Sequence, residues 1–373
     1  MLPAVWEAMQ PYMTHAFGNP SSVHRFGREA RVAVEDARDR MAHLLGVAPA
    51  ALVFTSGGTE SDASALMSRP WKAGERLATT GAEHEAVLQS AGAVAHRFGV
   101  EVLTLPIDQW GRLTPEAQDA LASAQPALVS IMAVNNETGI CHPIDTWADR
   151  VHDVGGWLHC DAVQAVGHVP MASILDAADL TSISAHKFGG PKGVGALVVR
   201  SPSYEGLVTG GSQERRRRGG TENVAAIVGM ATALECTLAD ATTEQARLRH
   251  LRDTLRTKID AALGARVWWN TPDAADTAPH ILSVSLRGTE ADGEMLILGM
   301  DMEGIAVSAG SACTSGTIEP SHVLVAMGRT RSEALAVTRF SLGRNTNMGN
   351  VGGCRLHSRR RQTCRIRLWQ RIW

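Results

Sequence analysis

The chain has 373 residues and a formal net charge of −2 at pH 7. That length allows two domains, each with its own core, and the near-neutral balance gives no electrostatic reason to expect nucleic acid or an anionic membrane as a partner. No apolar run approaches the roughly 20 residues needed to span a bilayer. The opening MLPAVWEAMQPYM lacks the basic-then-apolar order of a secretory signal, so a cytoplasmic location is expected. Cys141, Cys160, Cys236, Cys313, Cys354 and Cys364 include no C-x-x-C pair. This argues against a metal centre or a disulfide framework and leaves room for a single reactive thiol.

In chain order, residues 27–46 carry Ala30, Val34, Ala37, Met41, Leu44 and Leu45 at the spacing of one helical face, with Gly46 placed to end the helix. A strand over 52–55 then meets Gly57 and Gly58, and a helix follows whose first turn carries Thr59, Glu60 and Ser61. Free N–H groups at such a helix start bind an anion and suit a phosphate, with Gly58 and Thr59 in contact. The same residues also suit a plain helix cap by Ser56 or Thr59. No G-x-x-x-x-G-K-[ST] pattern is present, which disfavours a nucleoside triphosphate.

Further strands are predicted over 76–80, 100–105, 128–133, 156–160, 180–185 and 194–199, with helical stretches between several of them. This alternation indicates an α/β domain with a mainly parallel sheet. The junctions TGAEHEAVL and IMAVNNETG deliver His84 and Asn136 to one sheet edge. His84 could stack on a cofactor ring and Asn136 could donate to it, although each also suits a cap or turn. In WLHCDAVQAVG, Asp161 follows a strand and Gln164 comes three residues later. Asp161 could hold a pyridine nitrogen protonated, or cap a helix.

The segment ADLTSISAHKFGGPKGVGALVV places Lys187 at a strand end before a Gly-Gly-Pro turn, flanked by Ser184 and His186 as phosphate donors. An amine held partly out of water beside phosphate donors suits a Schiff base with pyridoxal phosphate (PLP). A surface lysine in a hairpin is the alternative. The run 215–218 is either a solvated face or part of a dimer-facing loop that includes Thr221. A long helical region over about 224–263 contains a domain boundary, placed near 245. Strands at 281–286 and 338–342 then belong to a smaller α+β domain. In VSAGSACTSGTIEP, small residues bracket Cys313, as expected of an exposed, reactive thiol.

With SGGTESD, EHEAVL, NNETG, HCDAVQAVG, SAHKFGGPKG, RRGGTENV, AGSACTSG and RFSLGR in this order, the chain resembles the cysteine desulfurases, most closely the nitrogen-fixation (NifS) type, over about residues 3–347. The resemblance implies fold type I of the PLP-dependent transferases. A large PLP-binding domain with a mainly parallel seven-stranded sheet (1–245) would precede a smaller α+β domain (246–347) and an arginine-rich tail (348–373). It implies a homodimer that converts L-cysteine to L-alanine and passes sulfur, as a persulfide on Cys313, to an iron-sulfur scaffold protein, with a link to nitrogenase. Lys187 would bear the Schiff base and Asp161 would pair with the pyridine nitrogen. Gln164 and Asn136 would bind the phenolic oxygen, and His84 would stack on the ring. Thr59, Ser184 and His186 would hold the phosphate, and Thr221 would reach the phosphate of the neighbouring subunit. Arg339 would clamp the substrate carboxylate.

The chain departs from the family at both ends. A segment like YLDNNATTP, roughly a dozen residues beside the substrate, is missing before the part that matches PAVWEAM. The final family helix is replaced by an arginine-rich stretch without acidic residues, expected to have no face to bury. A selenocysteine lyase, another class V PLP enzyme, or a truncated PLP-binding protein with little activity are the competing expectations.

Overall fold

The computed structural model describes residues 1–201, 204–287, 293–310 and 319–352. The chain forms two compact units, one of residues 1–105, 115–134 and 142–241, the other of 106–114, 135–141 and the described part of 242–373. The main border therefore falls at 241/242 rather than near 245, and two short segments from the first half join the second unit. The reason is local. Ile140 bridges to Thr277, Cys141 N–H donates to the Asp276 carbonyl, and Arg112 pairs with Asp276 at 2.6 Å.

The first unit is built on seven strands, β1 (Leu52–Thr55), β2 (Arg76–Thr80), β3 (Glu101–Leu105), β4 (Leu128–Ser130), β5 (Trp157–Asp161), β6 (Leu180–Ser184) and β7 (Gly195–Val199), in the order β1-β7-β6-β5-β4-β2-β3. Only β7 runs antiparallel to its neighbours. Most strand residues are buried, as short apolar runs with helices on both faces require. β4 is shorter than the expected 128–133, although Ile131 and Ala133 N–H still donate to the His159 and Asp161 carbonyls.

The helices of this unit are α1 (Pro3–Thr14), α2 (Arg25–Leu45), α3 (Gly58–Met67), α4 (Glu85–Phe98), α5 (Pro115–Ala124), α6 (Ile144–Asp153), α7 (Ala172–Ala177) and α8 (Val224–Leu238). α2 buries Ala30, Val34, Ala37 and Met41, the predicted face, and ends at Gly46 in the left-handed conformation, φ 69°. α1 and α2 pack on α8. Arg38 of α2 is 2% exposed and pairs with Glu214 at 2.6 Å, and the Glu214 carboxylate also accepts the Phe54 N–H at 2.9 Å. The arginine run is therefore not a plain solvated face. Arg217 donates to the Ala50 carbonyl, and Arg218 grips Glu60 at 2.9 and 3.2 Å, while Arg215 and Arg216 stay exposed. Glu214, Arg215 and Arg216 all have positive φ, a costly conformation for side chains with a Cβ, and the buried Arg38–Glu214 pair holds it.

In the second unit α9 (Ala241–Leu263) lays Leu248, Leu251, Leu255 and Ile259 on a three-stranded antiparallel sheet of β8 (Val267–Trp269), β9 (Ile281–Leu286) and β10 (Val337–Ser341), with β9 central. β8 is too short to show a period in the sequence. α10 (Gly293–Met302), α11 (His322–Ala326), α12 (Arg331–Leu335) and α13 (Met348–Gly352) complete the unit. α13 corrects one expectation. Val351 is 2% exposed and belongs to the unit's core, so the tail has a buried contact at its start, and its residues 353–373 lie outside the described ones. Among the described residues no single helix is long and apolar enough to cross a membrane.

Candidate active site

The sheet of the first unit brings most of the predicted cofactor residues to strand ends. α3 starts directly after β1, and its N-cap is Gly57, with φ 154° and no capping side chain, so neither Ser56 nor Thr59 caps it. Among the described residues the first amides of α3, including those of Gly58 and Thr59, have no side-chain acceptor, which is what an anion site needs. Close packing demands the glycines. A Cβ on Gly58 would stand 2.8 Å from Val163 Cγ2 and 3.6 Å from Ser184 Cβ, so the start of α3, the turn after β5 and the end of β6 converge. Ser184 Oγ and His186 Nδ1 lie 2.9 Å apart. Burial, and then the charges of Lys187 and Lys192, lower the His186 pKa and favour its neutral ring.

Lys187 lies in a 3-10 turn, Ala185–Phe188, rather than on the strand itself, and its side chain is exposed. Asp161, the last residue of β5, is buried, and its Oδ1 accepts the Val163 N–H at 2.9 Å. Burial raises its pKa, while His84 and Lys187 draw the carboxyl back toward ionisation. Among the described residues no protein donor meets its Oδ2. Gln164 follows, half-buried. His84 is the N-cap of α4, where Nδ1 accepts the Ala86 N–H at 3.1 Å. The cap fixes the tautomer, leaving the proton on Nε2. Thr221 is exposed three residues before α8.

Phosphate-binding amides, an amine and an open carboxylate oxygen flanked by His84 and Lys187 together fit PLP. Gly58, Thr59, Ser184 and His186 suit the phosphate, Lys187 the aldehyde and Asp161 the ring nitrogen.

Two predicted residues belong to the second unit. Arg339 of β10 donates from Nη1 to the Asn136 carbonyl at 2.8 Å, while its Nε is buried without a partner among the described residues, as is Asn136 Oδ1. Burial lowers the Arg339 pKa, and Glu137 counters it. A partly buried guanidinium with a buried N–H left open is a receptor for a carboxylate. Cys313 lies outside the described residues. The residues on either side of that stretch converge on Glu137, which the sequence reading missed. Ser321 donates to Glu137 Oε2 at 2.5 Å, and a Cβ on Gly310 would stand 2.6 Å from the same oxygen.

Three further buried groups of the first unit, Asp62, Glu83 and His159, were not among the predicted site residues. A signal existed for Asp62. With Ala65 and Leu66 it lies at i, i+3 and i+4, on the buried face of α3.

Residues 1–352 match the family described as aminotransferase class-V. The chain is 40% identical over 343 residues, 91% of its length and 86% of the relative's, to a protein named cysteine desulfurase IscS from Dictyoglomus turgidum. It is 41% identical over 344 residues, covering 91% and 84%, to one named cysteine desulfurase NifS from Azotobacter vinelandii. A solved structure titled NifS-like protein superimposes with a TM-score of 0.86 at 34% identity, covering 94% of this chain and 93% of that one. The motifs, the seven-stranded sheet and these likenesses agree, and the chain belongs to the class-V aminotransferase family of PLP-dependent enzymes, in which it groups with the cysteine desulfurases.

Proposed function

We propose that the protein is a cysteine desulfurase that converts L-cysteine to L-alanine and takes the sulfur onto Cys313. The observation that carries this reading is Arg339, a partly buried guanidinium whose Nε has no partner among the described residues, in a chain of the PLP-dependent class-V family. Arg339 binds the substrate carboxylate and so orients the amino acid. Asn136, whose carbonyl accepts from the same guanidinium, lies beside that carboxylate and is assigned both to substrate and to cofactor. PLP, when bound, supplies the electron sink that makes the α-carbon acidic. Lys187 moves the α-proton, and His84, with its proton on Nε2, serves as a second proton carrier. The Cys313 thiolate attacks the substrate sulfur. The new S–S bond forms as the Cβ–S bond breaks, the β-carbon keeps the electron pair and takes a proton, and alanine and a persulfide result. The free thiol pKa of about 8.5 leaves a few per cent thiolate at neutral pH, enough for a strong nucleophile.

Transfer of the persulfide to an iron-sulfur scaffold protein, and a nitrogenase-related role within it, belong to the same proposal, as does a cytoplasmic setting. The names IscS and NifS among the relatives support the sulfur-transfer reading. Trp6, Met13, Phe17, Phe26 and Val32 of the first unit are apolar and exposed, which supports a homodimer in which Thr221 serves the partner's phosphate.

The test is the product balance. Purified protein with PLP and L-cysteine should release alanine and, with a thiol reductant, an equal amount of sulfide. Cys313→Ala should bind PLP and release neither. Turnover of L-selenocysteine with none of L-cysteine would favour the lyase instead, and bound cofactor with neither activity would end the enzyme reading.

A further inference from the structure

Behind Asp161 lies a second set of titratable groups that the reaction above does not use. His159 precedes Asp161 by two residues on β5 and so shares its face. It is fully buried, with Nδ1 2.8 Å from Ser130 Oγ on β4 and Nε2 3.0 Å from Ser182 Oγ on β6. Burial pushes the ring down to about 3, so it is neutral and carries one N–H. Ser182 in turn hydrogen-bonds the carboxyl of Asp62 on α3, which is 2% exposed. The 3.6 Å between His159 Nε2 and Asp62 Oδ1 is too long for a hydrogen bond, and with a neutral ring it is no ion pair. Asp62 Oδ1 has no hydrogen-bond partner among the described residues.

The surroundings of the two aspartates differ. Asp62 faces Asp161 and His159 from β5, Ser182 from β6 and Glu83 from the junction after β2, and none of these is a cation. Asp161 faces His84 and Lys187 and accepts a backbone N–H. Glu83 accepts the Met132 N–H and the Thr80 hydroxyl, both at 3.1 Å and both on Oε1. Three buried carboxyls this close cannot all ionise, and the negative charge settles on Asp161, which has Lys187 beside it. We propose that Asp62 is a positioning residue of the cofactor site. It bears a proton at the end of the Ser130–His159–Ser182 chain, so that Asp161 is the carboxylate offered to the cofactor's ring nitrogen. This rests on the reading of Asp161 as the partner of that nitrogen.

Asp62→Asn, the neutral isostere, tests it on the full chain. Above the ordinary carboxylate range the folded parent keeps a proton on Asp62 that the unfolded chain releases, so parent stability falls as pH rises. The thermal midpoint of cofactor-free Asp62→Asn should therefore exceed the parent's by a margin that widens from about pH 5 to about pH 9. In PLP titrations at neutral pH, Asp62→Ala should bind about tenfold more weakly, because Ser182 and His159 lose their anchor, and Asp62→Asn should restore affinity to within about threefold. A margin that does not change with pH, or an Asn variant that binds PLP as poorly as the Ala variant, overturns the proposal. Unchanged PLP affinity in Asp161→Asn would instead sink the reading of Asp161 and leave the stability result for Asp62 standing, so the two failures are distinguishable.

Discussion

The residues assigned to the cofactor and those assigned to the substrate carboxylate are held by different means. In the first unit Asp161 ends a strand, Ser184 ends the next, Lys187 sits in the turn after it and His84 starts a helix. Each is placed by its own few neighbours, and the sheet sets the spacing. In the second unit Arg339 is bonded to Asn136, 203 residues earlier, and Ser321 to Glu137, 184 residues earlier. A sheet edge tolerates change around a side chain, whereas a cross-chain contact fails when either end moves.

The largest expected effect breaks the first arrangement at its reactive end. Lys187→Ala should lose both turnover and the visible absorbance of bound PLP, and an unchanged spectrum would sink the assignment. Arg38→Ala attacks the frame rather than the chemistry. It leaves Glu214 buried and unpaired, so urea unfolding should show a loss of about 3–5 kcal/mol. A loss below about 1 kcal/mol would mean that the pair is as weak as a surface one.

Glu83→Gln asks whether burial of acids strains the same sheet edge. Burial, with the Asp161 charge adding to it, pushes Glu83 up to about 8. Between the ordinary carboxylate range and about pH 8 the folded chain holds a proton that the unfolded chain has lost, so stability declines through that window as pH rises. Glutamine keeps both accepted hydrogen bonds and cannot titrate. Its unfolding free energy should therefore match the parent's near pH 4 and exceed it by pH 8, on the order of a few kcal/mol, with the midpoints following. Equal midpoints at both pH values would show that Glu83 is ionised in the folded chain. Arg339→Lys tests the second arrangement. It keeps charge but loses the fork, so kcat/KM for L-cysteine should drop on the order of 10–100-fold with the PLP spectrum unchanged. Loss of the cofactor in that variant would erase the contrast between the two sets.

What was legible in the sequence follows the same division. Gly57, Gly58, Asp161, Lys187 and the strands around them were readable because strand, turn and helix start are local signals. Glu83, His159 and Glu137 were not, since their burial is decided by residues far away in sequence, and Asp62 showed only its place on the buried face of α3. For Arg217 and Arg218 the sequence left two readings open for a related reason. A run of arginines reads as solvated until the carbonyl of Ala50 and the carboxylate of Glu60 are seen to be its partners. β8 was too short to carry a period, and α13 is a single turn whose only strong signal, Val351, stands among small polar residues.

The two short segments that leave the first unit for the second also bear on how the chain is made. During synthesis, residues 106–114 and 135–141 emerge well before the strands and helices that complete their surroundings. Gln109 waits 220 residues for Arg329, and Thr138 waits 133 for Thr271. Until then the later residues that anchor these loops are absent, and closing them late is slow because their contacts are so distant in sequence. A gene fragment cut at residue 242 would give a second unit without these two pieces, lacking the Asp276, Thr271, Ser321 and Arg339 contacts together. The unit is therefore one that the whole chain must finish, and it should not be recoverable as a separately expressed domain.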